Sequence, residues 1–412
     1  MGGTDQTPHV VIVGGGVAGL EALMALRDLA GDRVELTLVA PEPDFTYKPL
    51  AVEEPFSLHP PERRALDPIA REFGSRFLQA ALERVALAEH RVELSTGESL
   101  EYATLVVCVG GRPQPAFRQG TTFLASGEPL RIDDLLAHAA AAPSRRIAFV
   151  VPPGVTWPLP IYEVALMARR RAERLGLGEL DHVVVTPESA PLIMFGSAAS
   201  AELERLLQAR GIAIETSTHA HEAGDGPLIL SPGDHRLDAG DLVSLPLIVG
   251  PGIAGLPCDE QGFIPIDDHA RVPDAEDVYA AGDGTTFPIK QGGIATQQAD
   301  AAAEHIAARV GAPVDPQPFH PVLRGKLLTG EESLHLEHDL RGGTGEGSAA
   351  LDYLWWPPHK ISGRYLAAWL GETTPRSEQE PPRRPIDVEV SLPKEWHRNP
   401  MALDPYGPPG LD

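Results

Sequence analysis

Between His9 and Leu29 the chain reads HVVIVGGGVAGLEALMALRDL, and this stretch limits what the rest of it can become. His9 to Val13 is a short run rich in β-branched residues, which predicts a buried strand. Gly14, Gly16 and Gly19 then give GxGxxG, and Leu20 to Leu29 continues with helical periodicity. The first glycine permits a sharp turn, the second lets the backbone approach a pyrophosphate, and the third lets the helix pack on the strand. The positive end of that helix faces the phosphates. A second strand, RVELTLVA, follows. Strand, glycine turn, helix and strand together specify a dinucleotide-binding unit, with Gly14, Gly16, Val17 and Ala18 at the phosphates. The acid that usually ends the second strand is missing: Ala40 and Pro41 stand there, with Glu42 just beyond. Glu42 either reaches a ribose hydroxyl or is a solvated loop carboxylate.

The bulk properties narrow the class. A length of 412 residues leaves room for two or three domains. A net charge of -24 argues against nucleic acid or a polybasic membrane anchor as partner. No apolar run approaches the ~18 residues of a membrane span, and the N-terminus lacks the pattern of a signal peptide. The expectation is a soluble, cytoplasmic protein without a transmembrane segment. Cys108 and Cys258, its two cysteines, form neither CxxC nor a metal-ligand spacing, and no metal is expected.

Two later segments extend the first unit. His90 to Pro115 reads as a hairpin and then a buried strand ending in Gly110-Gly111-Arg112-Pro113. Val278 to Ala281 reads as a strand running into Gly282-Asp283, followed by a loop and a helix that begins near Gly293 or Ile294. These segments, with the first, resemble the two-dinucleotide-domain flavoproteins of the pyridine nucleotide-disulfide reductase superfamily. The resemblance implies FAD, with its ADP half on the GxGxxG turn. Gly110 and Arg112 would then lie where the chain closes over the cofactor, with Lys48 also among its neighbours. Gly282 and Asp283 would be flavin ligands, Asp283 through the ribityl chain. A helix starting at Gly293 or Ile294 would stabilise negative charge on the flavin's pyrimidine edge, and Lys290 would add a full positive charge there. The alternative for Lys290 is an exposed loop lysine.

The superfamily inserts a second dinucleotide fold, which usually binds NADH or NADPH, and residues 145–255 fit that insertion. RRIAFVV reads as a strand, PIYEVALMARRRAERLG as an amphipathic helix and DHVVVTPE as the next strand. The turn between the first two is PPGVTWPLP, with Gly154 its only glycine. Proline has no N–H for a phosphate, and Trp157 adds bulk where a pyrophosphate would approach, so NAD(P)H is disfavoured here. Pro-Pro-Gly followed by Pro-x-x-Tyr-Glu resembles the same turn in sulfide:quinone oxidoreductases and flavocytochrome c sulfide dehydrogenases. Leu36 to Phe56 resembles their second strand and following loop. Those relatives use a cysteine pair, one member of which belongs near Trp157. It is absent here, so no catalytic residue is assigned. Trp157 and Glu163 remain substrate-pocket candidates.

After residue 312 a proline-rich connector leads to VLRGKLLTGEESLHLEHDL, read as strands of a small domain. His335 and His338 are expected to be surface histidines. On a helix from Ile361, the residues Ile361, Tyr365, Leu366, Trp369 and Leu370 share a face. That face packs on the chain's own core or a dimer mate, or else meets a quinone or a membrane interface. Trp355 and Trp356 are candidates for a wall of the substrate pocket. The tail from residue 371 is too rich in proline and charge to build a core.

The expected fold is α/β: two Rossmann-like three-layer dinucleotide-binding domains, the FAD domain discontinuous, plus a small C-terminal α+β domain. The divisions are 1–144 and 256–312 for the FAD domain, 145–255 for the second fold, 313–370 for the small domain and 371–412 for the tail. The expected function is FAD-dependent oxidoreduction between a small-molecule donor and a quinone-like or other small acceptor. An NAD(P)H-dependent reductase and a weakly active FAD-binding scaffold are the alternatives.

Overall fold

The computed structural model describes residues 7–56, 63–124, 130–224, 226–339, 348–351, 353–355 and 358–373. Along the chain, β1 (His9–Val13) leads into α1 (Val17–Ala30), followed by β2 (Glu35–Ala40), β3 (Ser75–Gln79) and β4 (Thr104–Val107). Next come β5 (Thr121–Thr122), α2 (Ile132–Ala141), β6 (Arg146–Val150), α3 (Leu159–Arg174) and β7 (Asp181–Val185). Then follow α4 (Ser197–Ala209), β8 (Ile212–Glu215), β9 (Asp241–Ser244), β10 (Val278–Ala280) and α5 (Gly292–Arg309). The last elements are β11 (Val322–Leu327), β12 (Leu334–Asp339), β13 (Ser348–Ala350) and α6 (Leu366–Thr373).

The apolar run of β1 is explained by burial on both faces. Val10 and Ile12 pack with Leu20, Leu23 and the alanines of α5, while Val11 and Val13 face the opposite layer with Val92 and Leu105. A strand between two layers has no solvent face, so its sequence does not alternate. The first sheet runs β10-β4-β1-β2-β3, all parallel. The chain leaves it after β4 and returns at β10, so it is discontinuous in sequence. Within that interruption lies a second parallel sheet, ordered β5-β9-β6-β7-β8. Strand β6 sits where the connection direction reverses, as β1 does in the first sheet. Each sheet therefore opens a crevice at the carboxyl ends of its central strands, where doubly wound folds bind ligands.

The antiparallel sheet β11-β12-β13 turns Leu323, Leu327, Leu334 and Leu336 into the core that also holds Leu166 of α3 and Leu203 of α4. Its other face carries Lys326 opposite His335. His335 was expected at the surface and is instead 1% exposed. Trp355 and Tyr353 cover it, each edge-on with ring centroids 5.2 Å away. His338 is half-buried and its Nδ1 pairs with Met194 O at 2.6 Å. No group of three metal-ligating side chains occurs among the described residues.

The C-terminal helix differs from expectation at its start. It begins at Leu366, and Ile361 precedes it in irregular chain. Glu21 accepts the N–H groups of Tyr365 and Leu366 and so marks the start of the helix, and a Cβ on Gly363 would stand 2.6 Å from Glu21 Oε2. The aromatic stripe packs on the chain itself. Ile361, Leu366 and Leu370 join the core around α1, Tyr365 Oη donates to Asp28 at 3.2 Å, and the Trp369 indole donates to Glu72 at 3.0 Å. Trp356 and residues 374–412 lie outside the described residues. Among the described residues no helix is long and apolar enough to cross a membrane.

Candidate active site

The crevice of the first sheet is built by the glycine turn. Gly14 has φ +119°, and a Cβ there would stand 2.1 Å from Cys108 O. A Cβ on Gly19 would stand 1.8 Å from Gly14 O, so both positions exclude a side chain. Gly16 differs, since a Cβ there would meet nothing within 4 Å. The space is open where a pyrophosphate needs the backbone, and Gly16 is the N-cap of α1 without a side-chain cap. Val17 and Ala18 form the first turn beside it. Glu42 is exposed in the bend after β2, and Lys48 opens the 3-10 segment Lys48–Phe56.

Strand β10 delivers Gly282 (φ +91°) and Asp283 to the same crevice. Asp283 makes no hydrogen bond to another described residue. Burial raises its carboxyl pKa, and Lys290 and Lys48 oppose that shift. A carboxylate without a hydrogen-bond partner among the described residues, under the influence of two lysines and beside an open glycine turn, suits a polyhydroxylated, phosphate-bearing ligand. Gly110, with φ +72° and open space at its Cα, adjoins this site. Arg112 is exposed and donates from Nε to Gly250 O at 3.2 Å.

Lys290 is not a free loop lysine. Its ammonium donates to Thr285 O at 2.6 Å and Phe287 O at 2.8 Å, and lies 3.8 Å from the Phe263 ring centroid. Burial pulls its pKa down to about 8 against the attraction of Asp283. Helix α5 begins one residue earlier than the sequence indicated, at Gly292. Ile294 N–H is already taken by Gln291 Oε1 at 2.8 Å, which leaves the N–H groups of Gly292 and Gly293 at the helix end.

The crevice of the second sheet is built differently. Val151 N–H goes to Val185 O, Val155 N–H to Pro152 O and Ile161 N–H to Pro158 O. Pro152, Pro153, Pro158 and Pro160 have none to give. Trp157 is half-buried, edge-on to Phe195 at 5.7 Å. A further residue escaped the sequence reading. Glu188, just beyond β7, stands where a dinucleotide fold carries its ribose-binding acid. Here it is fully buried and turned inward, accepting from Tyr162 Oη at 2.6 Å and Thr186 Oγ1 at 2.9 Å. Burial raises its pKa to about 7. The signal was present in DHVVVTPE, an acid directly after a strand.

Glu163, the substrate-pocket candidate on α3, is 0% exposed. It pairs with Lys360 at 2.7 Å and accepts from Leu328 N–H at 2.8 Å. Lys360 also donates to Pro49 O at 3.0 Å. Trp355 is buried, its indole donating to His359 O at 3.1 Å. Both residues thus hold the C-terminal segment in place. Cys108 is buried and Cys258 exposed, and both are free.

Two parallel dinucleotide folds, the first interrupted by the second and furnished with an open glycine turn and an acid at its last strand, define a two-dinucleotide-domain flavoprotein oxidoreductase. The chain belongs to the pyridine nucleotide-disulphide oxidoreductase family, whose pattern matches residues 4–141 and 162–303. It is an FAD-dependent oxidoreductase. The matched stretches flank the proline turn. Among curated proteins it is similar to the chlorobenzene dioxygenase ferredoxin reductase component of Cupriavidus sp. (strain PS12), 27% identical over 365 residues, 83% of this chain and 85% of that one. It is also similar to the sulfide-quinone reductase of Aquifex aeolicus (strain VF5), 27% identical over 177 residues, 41% of this chain and 40% of that one. Among solved structures, the sulfide:quinone oxidoreductase of Aquifex aeolicus matches with TM-score 0.72 at 21% identity, covering 80% of this chain and 83% of that one.

Proposed function

We propose that this protein takes two electrons from a donor other than a nicotinamide nucleotide and passes them to a quinone-like or other small acceptor. FAD, when bound, supplies the electron chemistry. The chain's residues hold and tune it: Gly14, Gly16, Val17 and Ala18 admit the pyrophosphate, and Asp283 with Gly282 takes the ribityl hydroxyls. Glu42, Lys48, Gly110 and Arg112 complete the cradle. Lys290 and the N–H groups at Gly292 and Gly293 set a positive potential at the pyrimidine edge.

The observation that carries the choice of donor is the second crevice. Its turn offers few N–H groups, and Glu188 is fully buried with its Oε2 committed to Tyr162 and Thr186. The sulfide-quinone reductase similarity supports the acceptor class. Because the cysteine pair is missing, the reading includes no disulfide relay. The test is anaerobic mixing of the yellow protein with NADH. An unchanged flavin spectrum is expected. Rapid bleaching would overturn this reading in favour of an NAD(P)H-linked reductase, the reading that the ferredoxin reductase similarity favours.

A further inference from the structure

Helices α1 and α5 both begin at the flavin crevice, and a carboxyl from each meets the other between them. Glu21 of α1 is 0% exposed. Its two oxygens accept the N–H groups of Tyr365 and Leu366, each at 2.8 Å, and so cap the first turn of α6. Asp300 of α5 neighbours Glu21 closely enough for each carboxyl to bear on the other's ionisation, and its Oδ1 is buried with no donor. Two carboxylates in contact away from water do not both ionise, so the pair holds a proton.

The capped segment lies against the first turn of α5. A Cβ on Gly363 would stand 2.6 Å from Glu21 Oε2 and 3.0 Å from Thr296 Cγ2. Thr296 Oγ1 bonds Gly293 O at 2.9 Å and Ser362 O at 3.4 Å, and a Cβ on Gly292 would stand 2.9 Å from Ile361. We propose that Glu21 and Asp300 share a single proton, and that this proton fastens the Ile361–Leu366 segment as a wall beside the flavin's pyrimidine edge. The location of the wall rests on the FAD reading above; the fastening does not.

The other charged groups facing the segment do not replace that proton. Arg364 pairs with Glu304 at 3.1 Å, Asp28 accepts from Tyr365, and Glu72 with Arg64 engages Trp369 farther along. Burial raises both carboxyls of the pair. The sign follows: the fastening is intact while the pair keeps its proton and is lost as the pH rises through the pair's upper titration, when two charges in contact repel.

The test is hydrogen exchange of residues 361–373 in the holoprotein from pH 6 to pH 10, corrected for intrinsic exchange, with flavin release followed by fluorescence. In the wild type, protection falls roughly tenfold across one transition as the pH rises, and flavin release accelerates with it. Asp300→Asn carries a permanent donor to Glu21 and keeps the segment protected across the range. Glu21→Gln keeps one oxygen for the two N–H groups that Glu21 caps, so its protection is lowered at every pH and shows no transition, which covers the case of an unfolded Asp300→Asn variant. A wild type without the transition, or variants that retain it, would overturn the proposal. Preparations that take up no FAD at any pH would instead defeat the cofactor reading, while the exchange data still judge the fastening.

Discussion

Lys360 Nζ lies 2.7 Å from Glu163 Oε2, joining residues 197 positions apart in a pair that solvent scarcely touches. With Lys360 also bound to Pro49 O, a single ammonium ties the segment after β13 to α3 and to the segment beginning at Lys48. Lys360→Met leaves Glu163 buried without its cation. A loss of about 3 kcal/mol or more is expected in urea unfolding. Glu163→Gln with Lys360→Met should cost less than the two single changes together, because the double variant has no stranded charge.

The Glu188 carboxyl gives a pH-dependent prediction. Its pKa rises from 4.5 in the unfolded chain to about 7 in the fold. A raised carboxyl favours the fold while protonated, so its contribution is full below the unfolded value and is lost as pH climbs to about 7. Glu188→Gln removes that dependence. Relative to wild type, the variant should gain about 3 kcal/mol on moving from pH 4 to pH 8. Urea midpoints at the two pH values measure the difference, and equal offsets at both would refute it.

Two glycines of one turn should respond in opposite ways. Gly16 sits at φ -90° with open space at its Cα, so Gly16→Val should fold and yet purify colourless. Gly14 is at φ +119° with Cys108 O in the way. Gly14→Ala should therefore lose more than about 2 kcal/mol of stability. Circular dichroism with bound-flavin absorbance separates the two outcomes.

What the sequence disclosed and what it hid follow from range. Gly14, Gly16 and Gly19 were legible because a turn's demands are met by its own residues, and the parallel strands because runs such as Val10–Val13 have no polar side. The C-terminal fastening was not legible. Glu21 and Tyr365 are 344 positions apart, and nothing in either segment names the other. His335 misled for a related reason. Alternation in LHLEHD puts it on the face opposite Leu334 and Leu336, which reads as solvent until Tyr353 and Trp355 fold back over it. Glu188 was visible as an acid after a strand, but its inward turn depends on Tyr162, 26 positions away.

Lys290 offers the sharpest probe of how the chain tunes its cofactor. Its ammonium is aimed by Thr285 O and Phe287 O, and burial brings its pKa down to about 8 despite the attraction of Asp283. Below that pH it is a fixed positive charge at the proposed pyrimidine edge, and it favours the more negative, reduced cofactor. Lys290→Met removes the charge, so the flavin midpoint potential should fall at pH 7. A deprotonated lysine is electrostatically close to methionine. The gap between the two proteins should therefore narrow as pH rises through about 8 and nearly close by pH 10. Spectroelectrochemical titration across that range reads the gap directly. A gap that stays constant with pH would mean that Lys290 acts through packing on Phe263 and not through its charge.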